Sequence, residues 1–374
     1  MEPTNTIAAV RSLMLDYAAL TGLHPIGPTP RRYLWTDAFA VCNLLELFRQ
    51  TDDRQWLDLA CRLVDQVHQI LGRHRSDDPR SGWISGLSDA EGEAHPTRGG
   101  LRIGKRLNER GPGERPDERL EWEQDGQYFH YLTKWMHALG RMSRVSGDTA
   151  YAGWAVELAH AAQTAFTAGA GRMYWKMSID LTRPLVSSMG QHDPLDGYVT
   201  FSELQALAGS GLEAEIAAMA AICGHREWAT DDPLGIGGLL SDAWRIAQLT
   251  DLGLFTDMQL LESVIDGALA GLAAFTEGSS LRIPAAYRLA FRELGLAIGL
   301  KGVVPLWEWA EKSGERRPVQ RKIAALKGYL PLAGEIEDFW LEGSNRETET
   351  WREHREINMV MLATSLAPDG FLSI

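Results

Sequence analysis

The sequence predicts an all-α protein, about twelve helices paired in six hairpins and closed into a double ring. Three observations carry this expectation. Apolar residues recur at helical spacing almost throughout. Strand and hairpin signals are scarce, with Met173-Tyr174-Trp175-Lys176-Met177 the best short candidate. Successive helical stretches are joined by tight polar turns, which imply antiparallel neighbours. The 374 residues, 45% hydrophobic and 23% charged, supply ample core and exclude a disordered or fibrous chain.

In chain order the helical period covers 6–22, 36–50, 54–72, 125–146, 149–168, 196–209, 213–223, 236–250, 257–276, 284–300, 318–328 and 350–366. Thr36 is a natural N-cap for the second segment. Asp125-Gly126 and Asp196-Gly197 read as helix openings. A weak repeat sets Thr51–Ala60 beside Ser146–Ala155. In each, a polar turn closes one helix, and an aromatic followed by small and aliphatic residues opens the next. Segments 36–72 and 125–168 therefore read as equivalent helical hairpins. Between them, 73–123 is a long insertion rich in Gly, Pro and charge. Trp83, Ile84, Leu101, Ile103 and Trp122 predict that it packs on the domain, near the opening of the ring. The whole chain reads as a single domain.

Twelve hairpin-paired helices alternate between an outer and an inner ring, so 36–50, 125–146, 196–209, 236–250, 284–300 and 350–366 would be inner. Their starts carry Trp35 and Asp37; Asp125, Tyr128 and His130; Asp196 and Tyr198; Asp242 and Trp244; Tyr287 and Arg288; Trp351 and His354. Aromatic and polar residues gathered at one end of each inner helix suggest a binding funnel, although N-caps and acidic first turns produce part of the same pattern.

The chain length, the hairpin rhythm, the turns that set an acid ahead of spaced aromatics, as in Asp148–Trp154, and these aromatic-acidic helix starts resemble the six-hairpin glycosidase superfamily. The resemblance implies an (α/α)6 barrel over most of the chain. That group includes glycosidases, unsaturated uronyl hydrolases, trehalase-like enzymes and N-acylglucosamine 2-epimerase relatives. Neither the epimerases' spaced histidines nor the uronyl hydrolases' helix motif is recognisable, so the resemblance speaks to fold before reaction.

Five constellations could carry chemistry. Gln191-His192-Asp193, in a loop bounded by Gly190 and Pro194, offers a donor, a proton carrier and a charge. On the helix from about 125, His130 and Lys134 share a face with Gln127, Tyr131 and His137. Asp37 opens the first inner helix beside Trp35. Trp175 precedes Lys176 and Arg183, two cations suited to a carboxylate, sulfate or phosphate. Trp351-Arg352-Glu353-His354 is the last, with His354 one turn before Asn358. These motifs make Asp37, Asp125, His130, His192, Asp193 and Asp196 the candidates for acid–base work. Trp35, Tyr128, Lys134, Trp175, Lys176, Arg183, Gln191, Tyr198, Asp242, Trp244, Arg288, Trp351 and His354 are the candidates for binding.

His130 and His137 lack the spacing of a helical zinc pair, no nucleotide loop survives inspection and no Gly-x-Ser-x-Gly elbow occurs, so neither metal nor cofactor is expected. Cys42, Cys61 and Cys223 are too few and scattered for a disulfide framework. The net charge of −13 argues against duplex nucleic acid and anionic membrane as partners. With no secretory pattern and no stretch near the roughly 20 apolar residues of a bilayer span, a cytoplasmic location is expected.

The leading expectation is an enzyme acting on a polar, sugar-like small molecule by acid–base chemistry, foremost glycoside hydrolysis with paired carboxyl groups. A histidine-dependent isomerase or lyase acting on a nonsugar metabolite is the first alternative. A noncatalytic barrel that binds a protein partner through 73–123 is the second.

Overall fold

The computed structural model describes residues 3–374 apart from 170, 225, 279 and 313–315. Helices account for 67% of the chain. The chain divides into two compact units, Ala18–Gly224 and Met1–Tyr17 with His225–Ile374, the division falling inside α1 (Pro3–Leu20).

The Ala18–Gly224 unit contains α2 (Leu34–Thr51), α3 (Arg54–Leu71), α4 (Asp89–Ala94), α5 (Glu118–Glu123), α6 (Phe129–Ser146), α7 (Ala150–Phe166), α8 (Asp193–Ala208) and α9 (Glu213–Cys223). Helices α2, α6 and α8 pack side by side, and each carries one outer partner, α3, α7 and α9 in turn. Burial separates the layers: α2 is buried without interruption from Leu34 to Leu47, whereas α3 buries Trp56, Leu63 and Val67 and exposes Arg54 and Asp58. That contrast is what all-round contact against one-sided contact demands.

The repeat noticed in the sequence is a repeat of structure. Asp52 at the end of α2 and Gly147 at the end of α6 both adopt the left-handed conformation, with φ 53° and 77°. Each amide closes the turn by donating to the carbonyl of Phe48 or Ser143. The next acid in each turn, Asp53 or Asp148, then accepts an amide two residues on, from Gln55 at 3.1 Å and Ala150 at 2.9 Å.

A small antiparallel sheet of β1 (Gln127–Tyr128), β2 (Lys176–Met177) and β3 (Pro184–Val186) lies at the start of α6. It corrects one boundary. Asp125-Gly126 does not open a helix, because Gly126 at φ 147° leads into β1 and α6 begins only at Phe129. Asp196-Gly197 is likewise interior to α8, which starts at Asp193 with Pro194 in its first turn.

The insertion is buried unevenly. Trp83, Ile84, Leu101 and Ile103 are buried, while Trp122 is exposed. Its backbone is stitched to the helix starts: the Ile103 carbonyl accepts the Leu34 amide of α2, and the Ile103 amide donates to Gly126. Gln127 adds three side-chain bonds, to the Leu101 amide and to the carbonyls of Gly99 and Ile179.

The other unit contains α10 (Pro233–Asp251), α11 (Met258–Glu277), α12 (Ala290–Glu311), α13 (Arg317–Leu326), α14 (Pro331–Leu341), α15 (Glu349–Glu353), α16 (Arg355–Leu366) and α17 (Asp369–Leu372). Helix α12 is central, packed on α10, α13, α14 and α16. Its crossing with α10 runs through glycines: a Cβ on Gly237 would lie 2.0 Å from the Gly295 carbonyl oxygen, and one on Gly299 would lie 2.4 Å from the Gly237 oxygen. The Gly235-Ile236-Gly237-Gly238 run thus serves backbone approach. Helix α12 starts six residues later than expected and continues to Glu311 through Pro305. The expected 350–366 helix breaks at His354 into α15 and α16. Helix α14 was not expected; among its charges only Ala333, Ile336 and Trp340 mark a buried apolar face. Helix α11 is the one described helix long and apolar enough to cross a membrane, against the sequence reading, and it packs on α10 and α13.

Candidate functional site

The starts of α2, α6 and α8 bring together most of the candidates of the Ala18–Gly224 unit. Asp37 reaches back to the start of its own helix, where Oδ2 accepts the Tyr33 amide at 2.9 Å and Oδ1 lies 3.4 Å from the Arg32 guanidinium. Tyr33 is thereby held against Tyr131 of α6, hydroxyl to hydroxyl at 2.7 Å, and burial pushes its phenol up to about 12. Trp35 lies 6.5 Å from the Tyr131 ring.

From Tyr131 an aromatic surface continues outward. Tyr128, His130 and Trp175 form a triangle of rings, with centroids 5.4 Å apart for Tyr128–His130, 6.3 Å for His130–Trp175 and 5.2 Å for Tyr128–Trp175. Trp122 extends it, its ring 5.2 Å from Trp175. Helix α6 supplies His130, β1 supplies Tyr128, and Trp175 immediately precedes β2, so the short sheet is what brings the three rings together.

His130 keeps 28% of its side chain exposed, and its Nδ1 lies 3.6 Å from Asp193 Oδ1. That distance is inside ion-pair range and just beyond a hydrogen bond, and Nδ1 has no hydrogen-bond partner. Burial pushes the imidazole down to about 4, with Asp196 opposing and Lys134 assisting. The ring is therefore neutral at pH 7. Asp193 is placed by its neighbour: a Cβ on Gly190 would fall 2.5 Å from the Asp193 carboxyl, so only glycine lets the side chain fold back there.

The remaining acids are engaged by cations. Asp196 takes Lys134 Nζ at 2.5 Å and the Thr133 hydroxyl at 2.7 Å. Asp125, fully buried, takes Arg102 at 2.6 Å and Arg75 at 3.5 Å and also accepts the Gly104 amide at 3.0 Å. Lys176 is fully buried and gives its three donors to the Glu121 and Gln124 carbonyls and the Glu121 carboxylate, which leaves none for a ligand. Arg183 bonds the Arg110 carbonyl and lies 3.9 Å from Glu109. Gln191 is exposed, and His192 and Tyr198 are half-buried at the start of α8.

Sequence reasoning passed over three members of this cluster: Tyr33, Trp122 and Lys105, whose ammonium lies 5.9 Å from the Trp122 ring centroid. Trp122 could have been found as an aromatic in an otherwise polar stretch. Lys105 carried no signal of its own.

In the other unit, Asp242 pairs with Arg245 at 3.3 Å near the middle of α10, not at its start, and Trp244 is half-buried. Arg288 makes a forked pair with Glu293 and stacks 3.6 Å from the Phe339 ring centroid. Trp351 stacks on Trp340 at 5.5 Å. His354 is exposed, edge-on to Phe291 at 5.5 Å. A cavity of about 310 Å³ lies here, bounded by Phe275, Tyr287, Arg288 and Arg292. Among the described residues, no group of three or more His, Cys, Asp or Glu could hold a metal ion.

No protein-family model matches the chain, and no curated protein matches it. Solved structures do. The GH76 α-mannanase of Bacteroides thetaiotaomicron is similar over 100% of both chains, with TM-score 0.56 and 9% identity. A polysaccharide lyase aligns over 100% of this chain and 99% of its own, with TM-score 0.52 and 10% identity. The cellobiose 2-epimerase of Bacillus thermoamylovorans aligns over 89% and 87%, with TM-score 0.51 and 10% identity. The chain has the fold of the six-hairpin, glycosidase-like (α/α)6 barrels.

Proposed function

We propose that the protein is an enzyme acting on a saccharide, with His130 as its proton-transfer group and Asp193 as the carboxylate that supports it. The observation that carries this reading is the neutral imidazole held in an aromatic triangle 3.6 Å from Asp193. Aromatic faces suit the apolar side of a sugar ring. A neutral imidazole can take a proton from carbon, and a neighbouring carboxylate stabilises the imidazolium that results. Epimerisation or elimination on a sugar therefore fits better than the two-carboxylate hydrolysis expected first, since Asp37, Asp125 and Asp196 are committed to Arg32, Arg102 and Lys134. Hydrolysis is the second reading, favoured by the full-length similarity to an α-mannanase. It would use Asp193 as one carboxyl group.

The test is turnover on a panel of oligosaccharides read three ways: solvent deuterium entering the sugar, a new unsaturated product, or new reducing ends. His130→Ala is expected to lower turnover by about 10²–10⁴ while leaving the melting temperature near that of the parent. Because the neutral ring is the active form, activity should hold as pH falls through 6.5 and fail only as it approaches about 4. New reducing ends alone, undiminished in the variant, would transfer the assignment to hydrolysis.

A further inference from the structure

Lys105 is a cation of this region that Glu123 and Asp125 draw on only from a distance. Among the described residues no acid lies within ion-pair reach of its ammonium, and its one hydrogen bond goes to the Trp122 carbonyl. The ammonium lies 5.9 Å from the Trp122 ring centroid and 6.0 Å from that of Tyr128. It is half-buried at the exposed end of the aromatic surface. Two of its three donors thus remain for something else.

The position is built. Arg75 donates to the carbonyls of both Lys105 and Arg106. The preceding amide, Gly104, is held by Asp125. Gly104 itself, at φ 93°, sits where a Cβ would come within 2.2 Å of the Arg32 carbonyl oxygen, so the chain passes this point only as glycine. Asp125, Arg75 and Gly104 together fix the backbone from which a partly desolvated ammonium reaches the aromatic surface. Burial lowers the Lys105 pKa, against the opposing pull of Glu123 and Asp125. An anion that bonded the ammonium would offset that cost.

We infer that Lys105 receives an anionic substituent of the saccharide, the carboxylate of a uronic acid, while the sugar ring rests on Trp122 and Trp175. This rests on the saccharide reading above and narrows it to acidic oligosaccharides. A sulfate ester offers the same charge and oxygens, so the experiment separates the two.

The test is calorimetric binding of trigalacturonate, triglucuronate, a sulfated trisaccharide and the carboxyl-reduced trisaccharide to the full chain. The acidic ligands should bind more tightly than the reduced one. Lys105→Met keeps the stem and should weaken them roughly ten- to a hundredfold, and leave the reduced ligand's affinity unchanged. Lys105→Arg should restore most of the loss, and melting temperatures of both variants guard against misfolding. Tighter binding of the sulfated ligand than of either uronate would overturn the carboxylate assignment. Equal affinity for acidic and reduced ligands, unchanged by Lys105→Met, would overturn the Lys105 site while the saccharide reading stands. Failure of every saccharide to bind would overturn both.

Discussion

Asp125 and Lys176 show how a charged residue beside an aromatic surface can be wholly occupied in holding that surface together. Asp125 faces Arg102 and Arg75 from complete burial. Asp125→Asn keeps the shape and removes the charge, which strands Arg102. The expected loss is about 3–5 kcal/mol in urea unfolding; a purely catalytic Asp125 would leave stability untouched. Residue types were legible in the sequence, because His, Asp and Trp near a helix start announce themselves. Their partners were not. Nothing in Gly104-Lys105-Arg106 differs from a solvated run until Arg75, some thirty residues earlier, is seen to grip it. Lys176 looked like an anion holder because three carbonyl and carboxylate acceptors brought close by the sheet leave no local trace.

At the scale of elements, the glycine crossing of α10 and α12 and the open glycine of α7 make opposite predictions. Gly299→Ala must push against the Gly237 backbone and should cost about 1–3 kcal/mol. Gly153→Ala meets nothing within 4 Å inside a helix and should gain about 0.5–1 kcal/mol. Thermal melts of the two variants should move apart. The insertion should resist protease except across 111–119, which is almost wholly exposed; early cutting at the buried Leu101 or Ile103 would deny that it is packed. Helix periodicity located the long helices, and the turn repeat paired them. The missed start of α6 has a nonlocal cause: β1 takes residues that the periodic pattern had given to α6, and this sheet is assembled from pieces some fifty residues apart, beyond the reach of any local window.

At the scale of the molecule, the response to acid follows from two neutral imidazoles. His68 is buried, accepts the Trp135 indole N–H at 3.2 Å and is pushed down to about 3; His130 is pushed down to about 4. Both values lie below the ordinary 6.5, so between 6.5 and 4 the unfolded chain binds protons that the folded chain refuses. Stability should therefore fall as pH falls through that window. His68 alone contributes about 1.4 kcal/mol per pH unit. His68→Gln keeps an acceptor for Trp135 and should flatten the fall by that amount. Below it Asp78 acts in the same sense, because the Arg80 guanidinium beside it holds its carboxyl well below the usual range. The layered fold was legible because α2, α6 and α8 are apolar and buried over most of their length, whereas their partners are buried on one side. The reaction was not, since one barrel fold is shared by a mannanase, a lyase and an epimerase.

Of thirteen tryptophans, Trp122 alone is exposed; the rest are buried or half-buried. An ionic quencher such as iodide should therefore extinguish one indole's emission ahead of the others. The protein carries a built-in optical reporter on the ring that ends its aromatic surface. Any molecule that settles there should shield that emission, with no label attached.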